Sequence, residues 1–551
     1  MTAGESTHDV DVLVVGAGPV GLMLAIDLGR RGVRTLLIEK DPGTKAWPKM
    51  DRSNARTMEF FRRMGLAEQV RALGYPGDAS MDVLMVTSLD EPPLAVLNYR
   101  TVDEHREVIA GTRDGSQPLE PYQLVSQNDL EPLLVSVAEQ FPTVTVRFGC
   151  ELVDFTQDDA GVHAQIRDAD GQVEAIEATY MAGCDGGVST VRKRLGIPLQ
   201  GRGGIADQLQ VTFRSQTLYD SIPIGKGRHY YFADESRAGM VVQGSRREFT
   251  LNLRPREGMD YHQEIASRIG VDVDFEVVNS RQWKLHLLLA ERYREGRVFI
   301  AGDAAHLVIP SGGLGMNTGV GDALDLSWKL AGTIQGWGGP ELLDSYETER
   351  RKVGARNVQA AGWAAEGMFM WQSTWRPEVN EPGPEGDKAR EESAAASVHN
   401  RRVYEMIGVE LGYSYAGSNL IAYEADNIDD WDTLVYTPHA RPGVRLPHVW
   451  LSDGRPIQDL LDDGYVLLDL QGDADTDALA AAFAERGAPL QVLHLDEPEA
   501  RAVYDAPLLL LRPDMHVFWR GDQLRDPEGL AAAATGFADA PYGVPATAVT
   551  V

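Results

Sequence analysis

RVFIAGDAAHLVIPSGGLGMNTGVGDALDLSWKL, residues 297–330, is the stretch that decides the fold. It begins with an apolar strand over residues 298–301, and this strand ends at Gly302-Asp303. A glycine-rich turn is predicted over residues 310–319, followed by a helix whose apolar side chains suit burial on one side. The bare backbone of such a turn and the N–H groups at a helix start bind electron-rich groups. The stretch therefore predicts a backbone binding site beside an acid that can hold a sugar hydroxyl.

A second glycine-rich turn lies near the N-terminus. Gly16, Gly18 and Gly21 form a Gly-x-Gly-x-x-Gly motif that follows a predicted strand over residues 10–15 and precedes a helix and a strand ending in Glu39. In such a unit the first glycine makes the tight turn, the second lets the backbone approach a pyrophosphate, and the third lets helix and strand pack closely. The terminal acid accepts hydrogen bonds from ribose hydroxyls. The unit predicts dinucleotide binding.

Two further segments carry charged residues near predicted helix starts. Residues 52–70 indicate an amphipathic helix whose basic side chains reach the pyrophosphate, although a solvated basic face explains the same pattern. Residues 179–182 predict a strand that leads into Cys184-Asp185-Gly186 and a basic helix. From the local pattern alone, this second acid at a strand end fits a structural turn as well as a binding site.

The composition narrows the classes of function. The 551 residues predict two or three domains, and the net charge of −30 disfavours nucleic acid and anionic membranes as partners. Two cysteines, Cys150 and Cys184, suffice for neither a disulfide framework nor a multi-cysteine metal site. The polar first ten residues do not resemble a signal peptide, and no apolar run reaches the ~20 residues of a membrane helix. We expect a cytoplasmic protein without a metal site.

The order of predicted elements indicates an α/β protein. We expect a discontinuous Rossmann-type domain with an inserted, mostly antiparallel β-sheet, then a helical linker and a small α/β domain. The proline- and glutamate-rich residues 374–398 indicate a mobile surface segment or lid. The predicted boundaries are 1–75, 121–199 and 291–370 for the dinucleotide-binding domain, 76–120 and 200–290 for the inserted sheet, 371–430 for the linker or lid, and 431–551 for the last domain.

Three motifs in this order closely resemble the fingerprints of the single-component FAD-dependent aromatic hydroxylases, the family of p-hydroxybenzoate hydroxylase and phenol hydroxylase. They are the glycine motif at 16–21 with Glu39, Cys184-Asp185-Gly186, and Gly302-Asp303-Ala304-Ala305-His306. The resemblance covers about residues 10–370. The later stretches PGVRLPHVWLSDGRPIQDLL and LLLLRPDMHVFWRGD resemble the thioredoxin-like C-terminal domain of the phenol hydroxylase branch.

The resemblance implies a cofactor, FAD, and a reaction. NADPH or NADH would reduce the flavin, O2 would form a flavin C4a-hydroperoxide, and its distal oxygen would be transferred to a phenolic or other aromatic ring, including a polycyclic one. Such a hydroperoxide survives only where water is excluded, and we expect the turn from Pro310 to Gly315 and the inserted sheet to exclude it. The expected small-molecule partners are an aromatic substrate and O2. A second copy of the protein, forming a homodimer, is a further candidate partner.

The resemblance also assigns residues to the cofactor. Asp303 would bind the ribityl chain, Asp185 would serve both FAD and the pyridine nucleotide, and the backbone amides of Met316 and Asn317 would face the N1/C2-carbonyl edge of the flavin. The helix dipole behind those amides would stabilise the negative charge of reduced flavin. The other residues expected to bind FAD are Gly16, Gly18, Gly21, Glu39, Lys40, Arg52, Arg56, Gln127, Leu152 and Gly315. Of these, Arg52 or Arg56 would lie near the adenosine diphosphate.

The residues that act on the substrate are predicted less directly. A base or hydrogen-bond acceptor should draw off the phenol proton, because a phenolate is the better nucleophile. His229, Tyr230 and Tyr231 on a predicted strand of the inserted sheet are the candidates, although packing in a strand is the commoner role of such residues. His306 is expected to be structural. Asp325 stands where many relatives carry asparagine.

Three interpretations of the function stay open at this point. The first is hydroxylation of an aromatic ring, and the second is Baeyer–Villiger insertion or dehydrogenation on the same fold. The third is a non-catalytic flavoprotein that binds or sequesters an aromatic ligand, which the intact motif around Asp185 disfavours. The last domain contains no cysteine and therefore cannot act as a thiol redox module, so structural support or dimerisation is its expected use.

Overall fold

The computed structural model describes residues 8–44, 51–425 and 432–543, and the N-terminal residues 1–7 lie outside it. The first strands are β1 (Val10–Val15), β2 (Thr35–Glu39), β3 (Arg52–Ser53), β4 (Val83–Val86), β5 (Ala95–Leu97), β6 (Gln123–Leu124), β7 (Val144–Phe148), β8 (Glu151–Gln157), β9 (Val162–Arg167), β10 (Val173–Gly183), β11 (Leu199–Arg202) and β12 (Asp207–Arg214). The later strands are β13 (His229–Phe232), β14 (Gly239–Val242), β15 (Glu248–Leu253), β16 (Glu276–Lys284), β17 (Leu287–Ala290), β18 (Arg294–Glu295), β19 (Val298–Ile300), β20 (His306–Leu307), β21 (Tyr465–Asp469), β22 (Leu490–His494), β23 (Leu508–Leu511) and β24 (Val517–Gly521).

The α-helices connect and cover these strands. They are α1 (Pro19–Arg30), α2 (Ala55–Arg63), α3 (Ala67–Leu73), α4 (Val102–Gly111), α5 (Gln127–Ala138), α6 (Thr190–Arg194), α7 (Leu218–Ser221), α8 (Tyr261–Ile269), α9 (Leu314–Gln335), α10 (Pro340–Gln372), α11 (Pro384–Ala396), α12 (Ile407–Leu411), α13 (Asp477–Glu485), α14 (Pro498–Tyr504) and α15 (Pro527–Ala534).

The Rossmann-type domain is built on an eight-stranded sheet with the order β18-β19-β10-β1-β2-β7, extended by β8 and β9. β1 pairs in parallel with β2 and β10, and β10 pairs in parallel with β19. In this register Val15 pairs with Gly183, and Gly183 pairs with Ile300. The carboxyl ends of β1, β10 and β19 therefore meet at one edge, which is where ligands bind in parallel α/β sheets.

The inserted sheet has seven strands in the order β16-β12-β15-β14-β13-β4-β5. All its pairings are antiparallel except that of β13 with β4, which joins the two inserted segments of the chain. Because side chains alternate across a sheet, Tyr230 and Phe232 enter an apolar core with α8, while His229 and Tyr231 lie on the opposite face. This confirms the expected antiparallel insert.

The turn before α9 is shorter than expected. It ends at Gly313, so Gly315 and Gly319 belong to the helix. The helix needs a bare surface here because it lies against the loop after β19. A Cβ on Gly319 would come within 2.9 Å of Gly302 Cα and 2.5 Å of Val20 Cγ2.

Two of the three prolines in residues 374–398, Pro377 and Pro384, stand at helix starts. Pro384 stands in the first turn of α11, where proline has no hydrogen bond to lose. Ala389 and Ser393 of this helix are buried. This part of the expected linker or lid is therefore helical, because alanine and glutamate between the prolines favour a helix, and its mobility stays a prediction.

The C-terminal domain comprises the described residues from 432 onward. Its four-stranded sheet has the order β22-β21-β23-β24, with β21 and β22 parallel and the other pairs antiparallel. Two apolar clusters cover the two faces of this sheet, one with α13 and α15 and the other with α14. The expected strand at 449–451 forms only a single bridge, between Trp450 and Pro456.

A buried group of charges joins this domain to the Rossmann-type domain. Arg512 lies 2.7 Å from Glu349 of α10 and 3.0 Å from Asp325 of α9, and Lys329 lies 2.7 Å from both carboxylates. Burial, reinforced by repulsion from Glu349, raises the pKa of Asp325 to about 7 in spite of the attraction of Lys329 and Arg512. Asp325 therefore titrates near neutral pH.

This raised pKa predicts how stability depends on pH. Between the usual Asp value of 3.8 and about 7, the folded chain binds a proton at Asp325 that the unfolded chain lacks. The free energy of unfolding should therefore fall as pH rises through this window, by on the order of 1–4 kcal/mol. In Asp325→Asn this contribution is absent, so the variant should gain stability relative to the unmodified chain between pH 5 and pH 8, measured by urea unfolding.

Asp27 supplies the matched control. It is equally buried in α1, but Arg31, Arg30 and Ser327 outweigh the effect of burial and lower its pKa. Asp27→Asn should therefore be less stable than the unmodified chain at both pH values. An identical pH dependence in Asp325→Asn and the unmodified chain would contradict the assignment.

Candidate active site

The Gly16–Gly21 turn and the Cys184-Asp185-Gly186 motif touch each other at the edge of the sheet. Gly16 has a φ of +107° and lies so close to the Cys184 carbonyl oxygen that a Cβ would come within 2.5 Å of it. Gly21 packs against Gly16 itself, where a Cβ would lie 2.0 Å from the Gly16 oxygen. Gly18, in contrast, faces open space. Of the three glycines, Gly18 is thus the one that a phosphate group can approach.

The acid at the end of β2 is fixed beside this turn. Glu39 accepts hydrogen bonds from the backbone N–H of Ala17 at 3.0 Å and of Asp41 at 3.1 Å. Lys40 beside it is exposed. Gln127 is buried and donates to Glu131 at 2.5 Å, and the Leu152 side chain packs in the apolar core.

Two helices begin at this edge without a capping side chain. The N-cap residues of α1 and α9 are Gly18 and Gly313, and neither end has a side-chain hydrogen bond. The starts of α2, α5 and α6 are capped by Asn54, Ser126 and Ser189. The free N–H groups of α1 suit a pyrophosphate, and those of α9, which include Met316 and Asn317, suit the carbonyl edge of a flavin. The residues present therefore fit FAD.

The acid of the third motif points outward. Asp303 is exposed in a 3-10 turn, Gly302–Ala304, whose neighbouring residues are buried. His306 is fully buried, with its Nε2 2.8 Å from Asp322 Oδ2. The His306 ring is thus enclosed in the interior against Asp322, and the exposed Asp303 is available to a ligand. Pro310, which opens the turn before α9, is exposed.

Arg52 lies at the start of α9. Its Nη1 donates to the Gly312 oxygen at 3.2 Å, and its Nη2 lies 2.7 Å from Glu410. The Asn317 side chain donates to the Arg52 oxygen at 3.0 Å and accepts from the Asn54 N–H at 2.9 Å. Arg52 therefore adjoins the region suited to the flavin ring, and not the Gly16 turn where the adenosine diphosphate was expected.

Arg56 and Asp185 are occupied by structural contacts. Arg56 is buried, lies 3.1 Å from Glu59, and donates to the Asp514 oxygen at 2.9 Å. This contact with the C-terminal domain contradicts the expected role beside the adenosine diphosphate. The Asp185 carboxylate accepts from the Ser189 hydroxyl at 2.5 Å and from the Thr190 N–H at 2.6 Å. These contacts hold the start of α6, and a role of the half-buried Asp185 toward a ligand stays a prediction.

The inserted sheet presents a polar face. The hydroxyls of Tyr231 and Tyr404 lie 2.9 Å apart, and the His229 ring packs against both tyrosine rings. Tyr230 is on the other face, where its hydroxyl accepts from the Gly227 N–H at 2.8 Å. Tyr230 is therefore removed from the candidates, because its side chain belongs to the core of the sheet.

The pKa values on this face follow from burial. Burial raises the pKa of Tyr231, and burial together with Tyr231 raises the pKa of Tyr404 well above its usual value. Burial and the neighbouring Arg228 lower the pKa of His229 to about 3. At neutral pH both tyrosines are protonated and the imidazole is uncharged. The negative charge of Asp51 also raises the pKa of each of the three groups.

A buried arginine, Arg228, directly precedes β13 and contacts Tyr75 of the apolar core on the Tyr230 side of the sheet. Arg228 forms an ion pair with Asp51 through Nη2, and its guanidinium lies 5.0 Å from the Tyr75 ring centre. Its Nε and Nη1 are buried and have no hydrogen-bonding partner among the described residues. Asp51, Arg228 and Tyr404 were not predicted. Tyr404 lies 173 residues from Tyr231 in a segment without a strand pattern, and no sequence signal indicates the contact.

The described ranges contain neither a metal centre nor a membrane-spanning helix. No group of three or more His, Cys, Asp or Glu residues there could hold a metal ion. Within the same ranges, helices with the length and apolar character needed to cross a bilayer are absent.

Comparison with known proteins identifies the family. A family model described as FAD binding domain matches residues 9–361, and one described as aromatic-ring hydroxylase, C-terminal, matches residues 439–541. FAD-dependent monooxygenase apdD of Emericella nidulans is 33% identical over 97% of this chain and 91% of its own. Aklavinone 12-hydroxylase RdmE of Streptomyces purpurascens is 34% identical over 94% of this chain and 96% of its own.

Solved structures agree with these relatives. RebC with bound 7-carboxy-K252c has a TM-score of 0.87 and 34% identity, covering 96% of this chain and 99% of RebC. Aklavinone-11 hydroxylase in complex with FAD and aklavinone has a TM-score of 0.81 and 31% identity, covering 96% of this chain and 99% of its own. The present chain thus belongs to the FAD-dependent aromatic-ring hydroxylases and is a flavoprotein monooxygenase.

Proposed function

We propose that this monooxygenase hydroxylates a phenolic ring of a small aromatic substrate, with NADPH or NADH as reductant and O2 as co-substrate. FAD, when bound, supplies the activated oxygen. The observation that carries the proposal is the hydroxyl pair of Tyr231 and Tyr404, which adjoins His229 on the polar face of the inserted sheet. Relatives named for aklavinone and 2,4-dichlorophenol support an aromatic substrate.

The proposed place of FAD follows the edge of the parallel sheet. The N–H groups at the start of α1 would hold the pyrophosphate at Gly18, and Glu39 would accept from the ribose. Asp303 would accept from the ribityl hydroxyls, and the backbone N–H groups of Met316 and Asn317 would donate to the flavin ring. The uncapped helix starts and the exposed carboxylate of Asp303 support this placement.

The tyrosine pair can accept a hydrogen bond from the phenol of the substrate. A hydroxyl accepts and donates at once, so Tyr231 Oη can accept from the phenol while it donates to Tyr404 Oη. The uncharged His229 offers a second acceptor, because its buried Nδ1 has no partner among the described residues. Both contacts draw the proton away from the ring and make its carbon more nucleophilic.

We infer that Arg228, which is paired with Asp51 directly before β13, adds a preference for oxygen-rich rings. Two of its buried nitrogens have no acceptor in the part of the chain that the structure describes, and leaving such groups unpaired is costly. A carbonyl or anionic oxygen of the substrate would satisfy them. The ion pair with Asp51 holds this guanidinium in place, and Arg52, the next residue in sequence, contacts the turn before α9.

We also propose that the protein acts in the cytoplasm. Cys150 and Cys184 are both unpaired, as is usual for a reducing compartment.

The function is tested with the purified, FAD-loaded protein and a panel of phenols. We expect NADPH or NADH oxidation to accelerate with a suitable phenol and to yield a product that carries one oxygen atom from O2. A phenol that binds without oxidation of the reductant would favour a sequestering protein. An ester product from a ketone would favour Baeyer–Villiger chemistry.

The place of Asp303 predicts a loss of cofactor. Asp303→Ala removes an acceptor for the ribityl hydroxyls, so we expect FAD to bind about tenfold or more weakly. The measurement is flavin content after gel filtration, combined with a fluorescence titration. Asp170→Ala, which changes an equally exposed aspartate in the turn between β9 and β10, should retain all its flavin. Full flavin content in Asp303→Ala would show that the site is misassigned.

The tyrosine pair predicts a loss of rate without a loss of FAD. Tyr231→Phe removes the hydroxyl that accepts the hydrogen bond of the substrate phenol, so kcat for hydroxylation should fall about tenfold or more. Tyr230→Phe is the matched control, since it removes a neighbouring hydroxyl on the opposite face of the same strand. Equal effects of the two substitutions on kcat would contradict the assigned role of Tyr231.

A further inference from the structure

We propose that the C-terminal domain takes part in holding FAD, through three positioning residues, Tyr415, Arg350 and Asp322. This inference rests on the proposed place of FAD beside Gly302-Asp303. The domain carries no cysteine and so has no thiol chemistry of its own. The three residues form a continuous, buried chain of hydrogen bonds from that domain to the cofactor motif.

Asp322 is the end of the chain at the cofactor. Its fully buried carboxylate lies in α9, and Oδ2 accepts from the Gly302 N–H at 3.0 Å and from His306 Nε2 at 2.8 Å. These two contacts lie on either side of Asp303 in sequence. The Asp322 carboxylate therefore fixes the short turn that presents Asp303.

Arg350 of α10 is the middle of the chain. Its Nε donates to Asp322 Oδ1 at 2.8 Å, its Nη2 to the Thr318 oxygen at 2.9 Å, and its Nη1 to the Tyr415 hydroxyl at 2.9 Å. The guanidinium fits against α9 because Gly321 has no side chain, and a Cβ there would lie 2.7 Å from Nη2. With all three nitrogens engaged, a displacement of Tyr415 is transmitted to Asp322.

Tyr415 precedes the C-terminal domain in sequence but is held by it. Its backbone N–H donates to the Gly443 oxygen at 2.8 Å, and Gly443 in turn donates to Val517 of β24 at 2.7 Å. Its ring centre lies 4.4 Å from that of His516, and Arg512 lies over the same ring at 4.9 Å. The domain thus sets the position of the ring, while the hydroxyl reaches Arg350.

This series of hydrogen bonds implies that docking of the C-terminal domain and binding of FAD favour each other. If docking of the C-terminal domain favours the arrangement of Asp322 that binds FAD, then FAD must favour docking of the domain by the same factor. FAD binding should therefore stabilise β21–β24, although these strands belong to a separate sheet. This effect distinguishes a coupled C-terminal domain from an uncoupled one.

The first test measures FAD affinity in a variant that lacks one oxygen atom of this hydrogen-bonded series. Tyr415→Phe keeps the ring between His516 and Arg512 but loses the bond to Arg350. We expect FAD to be released from diluted holoenzyme with a dissociation constant raised roughly fivefold or more, measured by flavin fluorescence. Tyr465→Phe is the control, because Tyr465 is equally buried. This variant loses a hydrogen bond to the Ala534 oxygen, which is not part of the hydrogen-bonded series from Tyr415 to Asp322. It should bind FAD like the unmodified protein.

The second test follows hydrogen exchange of the backbone amides in β21–β24 with and without FAD. FAD should slow this exchange in the unmodified protein and in Tyr465→Phe, and should slow it less in Tyr415→Phe. Equal FAD affinity in the two variants would overturn the inference, as would exchange in β21–β24 that does not respond to FAD. Neither readout depends on hydroxylation, so a failed search for a substrate leaves both results interpretable, and Asp303→Ala tests the place of FAD separately.

Discussion

The parallel register of β1, β10 and β19 is the constraint on which the rest of the structure depends. Val15, Gly183 and Ile300 lie side by side, so three strands end at one level and three turns leave the sheet together. The backbones of two of these turns approach so closely that Gly16 has no room for a Cβ beside Cys184. A cofactor site made of distant segments thus follows from strand pairing, and the inserted sheet and the C-terminal domain are arranged around it.

Elements with a strong local signal could be predicted from the sequence. The apolar run before Gly16 ends where the backbone must turn, and β1 has the predicted bounds. The alternation around His229 likewise predicts β13. Partner choice could not be predicted, because it depends on distant segments. Arg56 looks like a phosphate ligand in sequence, but Glu59 and the Asp514 carbonyl oxygen take its guanidinium.

The acidic chain keeps several of its arginines inside. Arg228, Arg350, Arg445 and Arg512 are among the largest fully buried side chains, and each meets at least one carboxylate. Three of these contacts join segments far apart in sequence, as when Arg445 binds Glu59 of α2. A buried ion pair gives little net stability but disfavours any arrangement that separates its charges. These pairs therefore specify how the domains are placed more than they strengthen the fold.

The parallel pairing of β13 with β4 has a consequence for the order of folding. β4 leaves the ribosome long before its partner β13. Because β5 pairs only with β4 in this sheet, the β4–β5 pair has a free edge until the middle of the protein is made. Tyr404, which contacts Tyr231, arrives later still. During synthesis the nascent protein passes through a stage with an unpaired strand edge, and a chaperone that shields this edge would protect it from aggregation.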